Sequence, residues 1–544
     1  MISTGMLLLI SLATPVTLLL ACGSRTLRYR MPTLFVFAPL PALATALLAV
    51  NHPPWVFNEA RLHITFVLDA PGAILLGVAA LLWSMAGLYA ATYLRGQPNL
   101  GRFSIYWLLT LTGSLGVFVA ADLFTFYLTF ALLSLAAYGL VVFDGTPKAR
   151  RAGVIYLALA LLGEIFLLMG FVLLATAAPG DSLAIRDALA ALPTSPWRDP
   201  ALALLIAGFG LKMGLVPLHV WLPIAHPAAP MPASAVLSGV IIKAGVIGLI
   251  RFLPFDLPLP DWGVALTVIG FLTAFYSVII GVTQSNPKTV LAYSSVSQMG
   301  VIAALFGMGL AAGQNSAVMA ATFYSAHHLL AKGALFLAVG VTAATGPRRL
   351  WWVLGPAAIL ALGMGGLPLT GGALAKLATK PIFGEGPVEG LATASAIGTT
   401  LLMLHFLRRL AANAASARSA SAPVGLAFPW LLMFVAAVGI PWALYLTTGI
   451  GAYDEALQPK ILWAALWPVL IGAGLALALW RWGRALPQIP EGDIIIVGQP
   501  VLRVIARCAD GLERVEGALR QWPVVGLTLL ILTLVLGGVM FYGY

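Results

Sequence analysis

Apolar stretches of about twenty residues follow one another along almost the whole chain, and this repetition constrains the fold more than any other feature. We count about sixteen of them, each long enough for an α-helix to cross the hydrocarbon core of a bilayer. Because 60% of the 544 residues are hydrophobic and only 9% are charged, the chain lacks the polar side chains of a water-exposed surface. The sequence therefore predicts an all-α polytopic membrane protein with about 14–16 transmembrane helices.

The net charge of +11 comes from basic residues that concentrate in alternate loops between the apolar stretches. Arg28 and Arg30 follow the first stretch and Arg150 follows the fifth, whereas loops on the other side carry acidic residues such as Asp187. This alternation follows the positive-inside rule for a multi-pass protein of the inner (cytoplasmic) membrane. It predicts that both termini face the non-cytoplasmic side, and it explains the positive charge without a nucleic-acid partner.

The apolar stretches fall into four groups. Residues 1–102 contain three N-terminal helices, residues 103–253 and 262–410 contain five helices each, and residues 427–544 contain the C-terminal helices. An odd number of spans per block means that a second copy of the block would enter the membrane from the opposite side. We therefore expect two inverted five-helix repeats, as in many transporters, on topology alone because no direct repeat is visible.

The fourth helix of each five-helix block is predicted to be broken. The first break lies near Pro217, and the second lies near Pro368, which follows Gly365, Gly366 and Leu367. Proline removes a backbone donor and glycine tolerates left-handed backbone, so both interrupt a helix. In transporters, such breaks line the polar path through the membrane.

The segment of about residues 494–520 differs from the rest of the chain because apolar and charged residues alternate there at helical spacing. This pattern predicts an amphipathic lateral helix along the cytoplasmic surface, followed by a last span. The helix would serve either as a membrane-surface anchor or as a brace against neighbouring subunits.

Six titratable residues lie inside the predicted spans, where a charged side chain costs about 2.5–3.5 kcal/mol on insertion scales. They are Lys212, Glu164, Lys243, His328, Lys332 and Lys376. A buried amine or imidazole that changes its protonation state can carry a proton, so we interpret the set as a proton pathway. The adjacent His327 lies on another face of its helix and receives no role.

Each of these residues also has a structural interpretation. Lys212 and Lys243 could form static ion pairs with buried carboxylates, and His328 could be a hydrogen-bonded core histidine. Lys376 could extend to the membrane surface. Glu164 is the clearest carboxylate within a span, and it would gate transfer if it lay opposite Lys212.

The sequence gives no sign of catalysis by the chain alone. It contains no Walker loop, no dinucleotide-binding glycine pattern, no zinc spacing and no nucleophile elbow. The two cysteines, Cys22 and Cys508, are too few for an iron–sulfur cluster. We therefore expect no catalytic residue, metal or cofactor in this chain, and any redox chemistry would belong to a partner.

The region around the first break carries a long and specific resemblance. Residues 212–223 read Lys-Met-Gly-Leu-Val-Pro-Leu-His-Val-Trp-Leu-Pro, and residues 225–230 read Ala-His-Pro-Ala-Ala-Pro, with Lys243 following. This signature resembles the antiporter-like proton-translocating membrane subunits of respiratory complex I, Mrp cation/proton antiporters and energy-converting hydrogenases. The resemblance extends over roughly Phe66 to Leu410.

Membership of this family would imply a role for each site residue. Lys212 would be the central pumping lysine and Glu164 its carboxylate neighbour. Lys243, His328 and Lys332 would form the connecting relay, and Lys376 would be the exit residue of the second half-channel. The family also implies other membrane subunits as partners in the lipid bilayer and, in redox-driven members, soluble iron–sulfur subunits.

One departure from the family pattern affects the functional prediction. The family has a glutamate in a Trp-Glu-Leu-x-Ser-Leu-like run, whereas Ala131 occupies that position here. Either Glu164 serves as the partner of Lys212 and the subunit conducts protons, with or without sodium exchange, or the subunit is a non-conducting scaffold. The five retained lysine and histidine positions favour conduction.

Overall fold

The computed structural model describes residues 4–50, 54–59, 62–482 and 489–491. In that part of the chain, twelve helical segments are long and apolar enough to cross a membrane, and two shorter apolar helices end at Ala21 and Gly365. The prediction of an all-α polytopic membrane protein is confirmed. The predicted lateral helix at about residues 494–520 and the last predicted span lie outside the described residues.

The helices are numbered in chain order. The first seven are α1 (Thr4–Ala21), α2 (Arg25–Leu34), α3 (Leu40–Leu48), α4 (Ala70–Tyr93), α5 (Leu100–Val119), α6 (Leu123–Val141) and α7 (Pro147–Ala177). The next seven are α8 (Ile185–Ala191), α9 (Arg198–Met213), α10 (Trp221–Ala228), α11 (Met231–Val236), α12 (Lys243–Phe252), α13 (Pro260–Gly281) and α14 (Pro287–Ala312). The last seven are α15 (Ser316–Ala343), α16 (Trp351–Gly365), α17 (Gly371–Phe383), α18 (Pro387–Ala411), α19 (Val424–Thr447), α20 (Tyr453–Ala456) and α21 (Pro459–Trp482).

The predicted blocks can be compared with these helices. Residues 103–253 contain most of α5, then α6, α7, the short helix α8, the successive helices α9 and α10, and the successive helices α11 and α12. Residues 262–410 contain most of α13 and α18 and, between them, α14, α15 and the successive helices α16 and α17. The inverted relation between the two blocks stays a prediction.

A short antiparallel hairpin between α3 and α4 is absent from the sequence prediction. Strand β1 (Trp55–Glu59) pairs with strand β2 (Leu62–Phe66). Asp122, whose carboxylate caps α6, also accepts a hydrogen bond from the Thr65 amide at 2.7 Å. The hairpin is joined in this way to the junction of α5 and α6.

The centre of the molecule is formed by α15 and by the segment from Met231 to Phe252, each 94% buried over its most apolar window, against 22% for α21. Helix α15 packs against α4, α14, α17 and α19. A helix enclosed in this way meets protein on every side and faces neither lipid nor a neighbouring subunit. Three of the predicted pathway residues lie in these two central segments.

Helices α13 and α14 approach each other at paired glycines. A Cβ on Gly263 would lie 2.5 Å from the Gly307 carbonyl oxygen, and one on Gly270 would lie 2.6 Å from the Gly300 carbonyl oxygen. Small residues permit this contact between backbones, and in a membrane such contacts replace the hydrophobic driving force for helix association. The pair forms a rigid wall beside the central helices.

Candidate functional site

Lys212 lies in the last turn of α9, next to the first predicted break. The helix ends at Met213, Gly214 follows with a φ of 80°, and the Leu215 amide donates to the Gly210 carbonyl at 2.8 Å. A cation in the last turn of a helix is stabilised by the partial negative charge of the free carbonyl groups. The sequence thus ends the helix at a point where a buried amine is tolerated.

The amine of Lys212 is held by a side chain that the sequence analysis did not select. Its Nζ donates a hydrogen bond to Ser134 Oγ on α6 at 2.8 Å and lies 5.3 Å from the centre of the Phe130 ring. Only 4% of Lys212 is exposed. Ser134 lies one turn after Ala131 on α6, so a polar group is present one turn away from Ala131.

Glu164, on α7, completes this first cluster. Lys212 and Ser134 are its polar neighbours, and Lys212 acts on it electrostatically. Both carboxylate oxygens are buried and have no hydrogen-bond partner in the part of the chain that the structure describes. Glu164 therefore influences Lys212 through space, with Ser134 beside both, and does not hold it in a direct ion pair.

A second cluster joins the two central segments. Lys243 Nζ and His328 Nδ1 lie 2.8 Å apart, although 85 residues separate them in sequence. Lys332, one turn after His328 on α15, donates to the Leu291 carbonyl of α14 at 2.9 Å. All three side chains are fully buried. The structure thus brings together three of the six predicted pathway residues.

This second cluster consists of basic groups. Lys243 is an electrostatic neighbour of both His328 and Lys332, and among the described residues no carboxylate acts on any of the three. Three protonated bases packed without a counter-ion would repel one another strongly in a low-dielectric interior. The cluster therefore cannot hold a proton on every member at once.

Lys376 lies beyond the second predicted break. Helix α16 ends at Gly365, Gly366 follows with a φ of 103°, and helical structure resumes in α17 at Gly371. The amine of Lys376 donates to the Gly365 carbonyl at the end of α16. The interrupted backbone thus supplies the acceptor for this lysine.

A cavity of about 210 Å³ adjoins Lys376. Its polar lining includes Gln298, Tyr324, Lys376, Lys380, Glu389 and Thr399. Lys380 and Glu389 form an ion pair at 3.7 Å in which both side chains are partly exposed. Lys380, near the end of α17, therefore has a polar partner at the start of α18.

A further polar cluster, which the sequence did not indicate, lies at the first turns of α7 and α14. Lys288 Nζ donates to the Ala229 carbonyl at 2.5 Å, and Lys148 pairs with Glu491 at 2.6 Å. Glu491 also accepts a hydrogen bond from Thr289 at 2.7 Å. Partial desolvation raises the pKa of the Asp144 carboxyl, in the loop before α7, while nearby Lys288 opposes that shift.

Comparison with known proteins agrees with the fold. Residues 120–379 match the transmembrane family of NADH:quinone oxidoreductase and Mrp antiporters. Hydrogenase-4 component B of Escherichia coli is 31% identical over 304 residues, which cover 53% of this chain and 44% of that protein. NADH-quinone oxidoreductase subunit N of Desulforudis audaxviator is 34% identical over 342 residues, covering 61% of this chain and 65% of that protein.

A solved structure, the Mrp complex from a Dietzia species, aligns with a TM-score of 0.76 and 20% identity, covering 99% of this chain and 63% of that one. At this identity, the likeness concerns the fold. The chain spans less than two thirds of the length of either curated relative. Over residues 120–379, the chain is therefore similar to the NADH:quinone oxidoreductase/Mrp antiporter transmembrane family.

Proposed function

We propose that this chain is the proton-translocating membrane subunit of a multisubunit assembly of the complex I, Mrp or membrane-hydrogenase type. The observation that carries the proposal is the buried cluster of Lys243, His328 and Lys332, whose electrostatic neighbours among the described residues are all basic. A static ion pair would require a carboxylate next to these groups. A shared proton that moves among them requires none.

The first cluster supplies a gate for this proton. The negative charge of Glu164 favours a protonated Lys212, and protonation or displacement of Glu164 removes that attraction. Lys212 then releases its proton toward Lys243 and His328. Like-charge repulsion within the second cluster drives the proton on to Lys332 and finally to Lys376, which adjoins the cavity.

The energy source and the setting form part of the same proposal. The protein lies in the cytoplasmic membrane with both termini on the non-cytoplasmic side, because its basic loops mark the cytoplasmic face. Its partners are other membrane subunits. Redox chemistry in attached iron–sulfur subunits or an opposing cation gradient, such as sodium, drives transport.

A non-conducting scaffold is the second candidate, and Ala131 is the observation that favours it. Without a carboxylate on α6, the usual partner of the central lysine is missing. Against the scaffold stands the cost of about 2.5–3.5 kcal/mol for each charged side chain inside a span. A scaffold gains nothing from Lys243, His328 and Lys332 that apolar residues would not supply.

Replacement of the central lysine tests the proposal. In membrane vesicles that contain the assembled complex, we expect Lys212→Ala to abolish proton flux, measured with a pH-sensitive dye, without loss of the complex. Lys460→Ala, which changes an exposed lysine at the start of α21, is the control and should conduct normally. Normal flux through the Lys212 variant would support the scaffold instead.

A further inference from the structure

The proposed pathway lacks a connection between the second cluster and Lys376. His327 lies on α15 next to His328 but on a different face, and only 4% of it is exposed. Neither ring nitrogen has a hydrogen-bond partner in the part of the chain that the structure describes. A buried polar group without a partner is costly, so the position of this imidazole calls for an explanation.

The ring of His327 lies against the start of α17. A Cβ on Gly371 would lie 2.7 Å from Nδ1, and a Cβ on Gly372 would lie 3.1 Å from Nε2. The two glycines thus leave the space that the imidazole occupies. Gly372 and Lys376 are four residues apart, so they share one face of α17.

Lys376 is also an electrostatic neighbour of His327. The imidazole therefore has two members of the second cluster, His328 and Lys332, on its own helix and Lys376 on the helix that faces it. A residue that links the second cluster to Lys376 would occupy this position.

A competing route begins at Tyr324, one turn before His328 on α15. The Tyr324 hydroxyl donates to Gln298 Oε1 at 2.7 Å, and Gln298 Nε2 donates to Thr399 Oγ1 at 3.0 Å. The amide nitrogen of a glutamine donates hydrogen bonds but does not accept a proton. This chain of hydrogen bonds therefore orders one wall of the cavity, and proton transfer stops at Gln298.

We propose that His327 carries protons from the second cluster to Lys376 across the break between α16 and α17. This inference rests on the proposed function and adds a residue to it. Neutral imidazole holds one proton and one lone pair, so it can receive a proton on one nitrogen and release a proton from the other. The second cluster loses a proton, the lone pair of one ring nitrogen binds it, and the N–H bond of the other nitrogen breaks as the Lys376 amine accepts that proton.

The step leaves a neutral ring in the opposite tautomer. Rotation of the unpartnered side chain then presents the newly protonated nitrogen to Lys376 and the bare nitrogen to the second cluster for the next transfer, and no oxidant or co-reactant is required. Hydrogen bonds to both nitrogens would prevent that rotation, which explains why the ring is buried without partners.

Proton flux through complex-containing membrane vesicles tests this role over a range of pH. We expect His327→Gln to lower the flux at least about tenfold and to change the shape of its pH profile, because a proton-transfer group is lost. His405→Gln is the matched control. His405, near the C-terminal end of α18, is also buried, but its Nε2 is hydrogen-bonded to the Gln284 carbonyl. Tyr324→Phe interrupts the competing route; because it also removes a hydrogen bond from the wall of the cavity, we expect it to reduce the flux less than His327→Gln and to leave the shape of the pH profile unchanged.

Several results would overturn the inference. They are normal flux in His327→Gln, a loss of flux in Tyr324→Phe without one in His327→Gln, or a uniform reduction with an unchanged pH profile, which would indicate a structural role. His327→Asn serves as a second variant if the glutamine variant fails to assemble. Lys212→Ala is measured in parallel: if it blocks flux while His327→Gln conducts, only this inference fails, and if both conduct, the proposed function fails too.

Discussion

The two interruptions of helical structure, after Met213 and after Gly365, use the same local chemistry. In each, a glycine with positive φ ends the helix, Gly214 at 80° and Gly366 at 103°. The amide of the leucine that follows donates to a carbonyl five residues earlier, at 2.8 Å for Leu215 and 3.1 Å for Leu367. These are Schellman-type ends, in which the backbone satisfies its own carbonyl groups.

The lysines beside the two interruptions differ in position and surroundings. Lys212 precedes its interruption, is enclosed, and bonds a side-chain hydroxyl of another helix. Lys376 follows its interruption, bonds the backbone of the preceding helix, and adjoins a cavity. The same backbone motif can thus serve an enclosed site or an open one, depending on which half of the interrupted helix carries the lysine. We infer that the first site controls transfer and the second discharges it.

Among the variants that test this contrast between the two lysines, the one that removes the charge of Glu164 should have the largest effect. We expect Glu164→Gln to slow proton flux by about a hundredfold and to shift its pH optimum, because the titrating group that attracts the Lys212 proton is lost. Flux measured against pH in membrane vesicles checks this. Glu455→Gln, at an exposed position on α20, is the control, and an unaltered pH profile in Glu164→Gln would remove Glu164 from the gate.

A smaller effect is expected at the hydroxyl that holds Lys212. Ser134→Ala removes an acceptor for a charged donor, worth about 1.5–3 kcal/mol, so we expect transport to slow by about tenfold or more. Ser104→Ala is the matched control because Ser104 is equally buried but bonds only a carbonyl of its own helix at 2.8 Å. Equal flux in the two variants would show that the amine of Lys212 does not depend on α6.

The smallest expected effects come from replacing the glycine at each of the two interruptions. Gly214→Ala and Gly366→Ala each force a side chain into left-handed backbone, at a cost of about 1–2 kcal/mol, and should lower the melting temperature of the complex similarly. A Cβ at position 366 would also lie 2.9 Å from Lys376 Nζ, whereas one at position 214 would meet Leu222. We therefore expect only Gly366→Ala to disturb a pathway lysine directly.

Gly180→Ala provides the reference for backbone strain alone, since Gly180 has a φ of 60° and open space around it. Thermal unfolding and proton flux are measured for all three variants. If Gly366→Ala retained the flux of Gly180→Ala, the contact between Lys376 and the end of α16 would have no part in transport.

Much of the fold could be predicted because it depends on local patterns. Apolar stretches define the spans, and the Gly-Leu-Val-Pro and Gly-Leu-Pro sequences coincide with the places where helical structure ends. The hairpin of β1 and β2 was missed because two five-residue strands are short beside the surrounding spans, and its hydrogen bonds to the start of α6 depend on residues far along the chain.

The sequence indicated which titratable residues could form the candidate site, but it did not show how they are arranged. Lys243 and His328 were selected because charged residues are rare in apolar spans, but the sequence does not show that they meet. Ser134 escaped notice because a serine within a span is common and costs little, and only its contact with Lys212 distinguishes it. His327 was set aside because it shares no helix face with His328, although its own face meets α17.

The sequence by itself determined that this is a polytopic membrane protein that resembles the antiporter-like family, and it indicated where helical structure could be interrupted and which titratable side chains could form a pathway. These properties follow from hydrophobicity, proline and glycine chemistry and short motifs, all of which act over a few residues. The tertiary structure alone decided that Ser134 meets Lys212, that Lys243 meets His328, and that His327 faces the start of α17. Those contacts depend on which helix faces pack together, and packing is a property of the whole assembled chain.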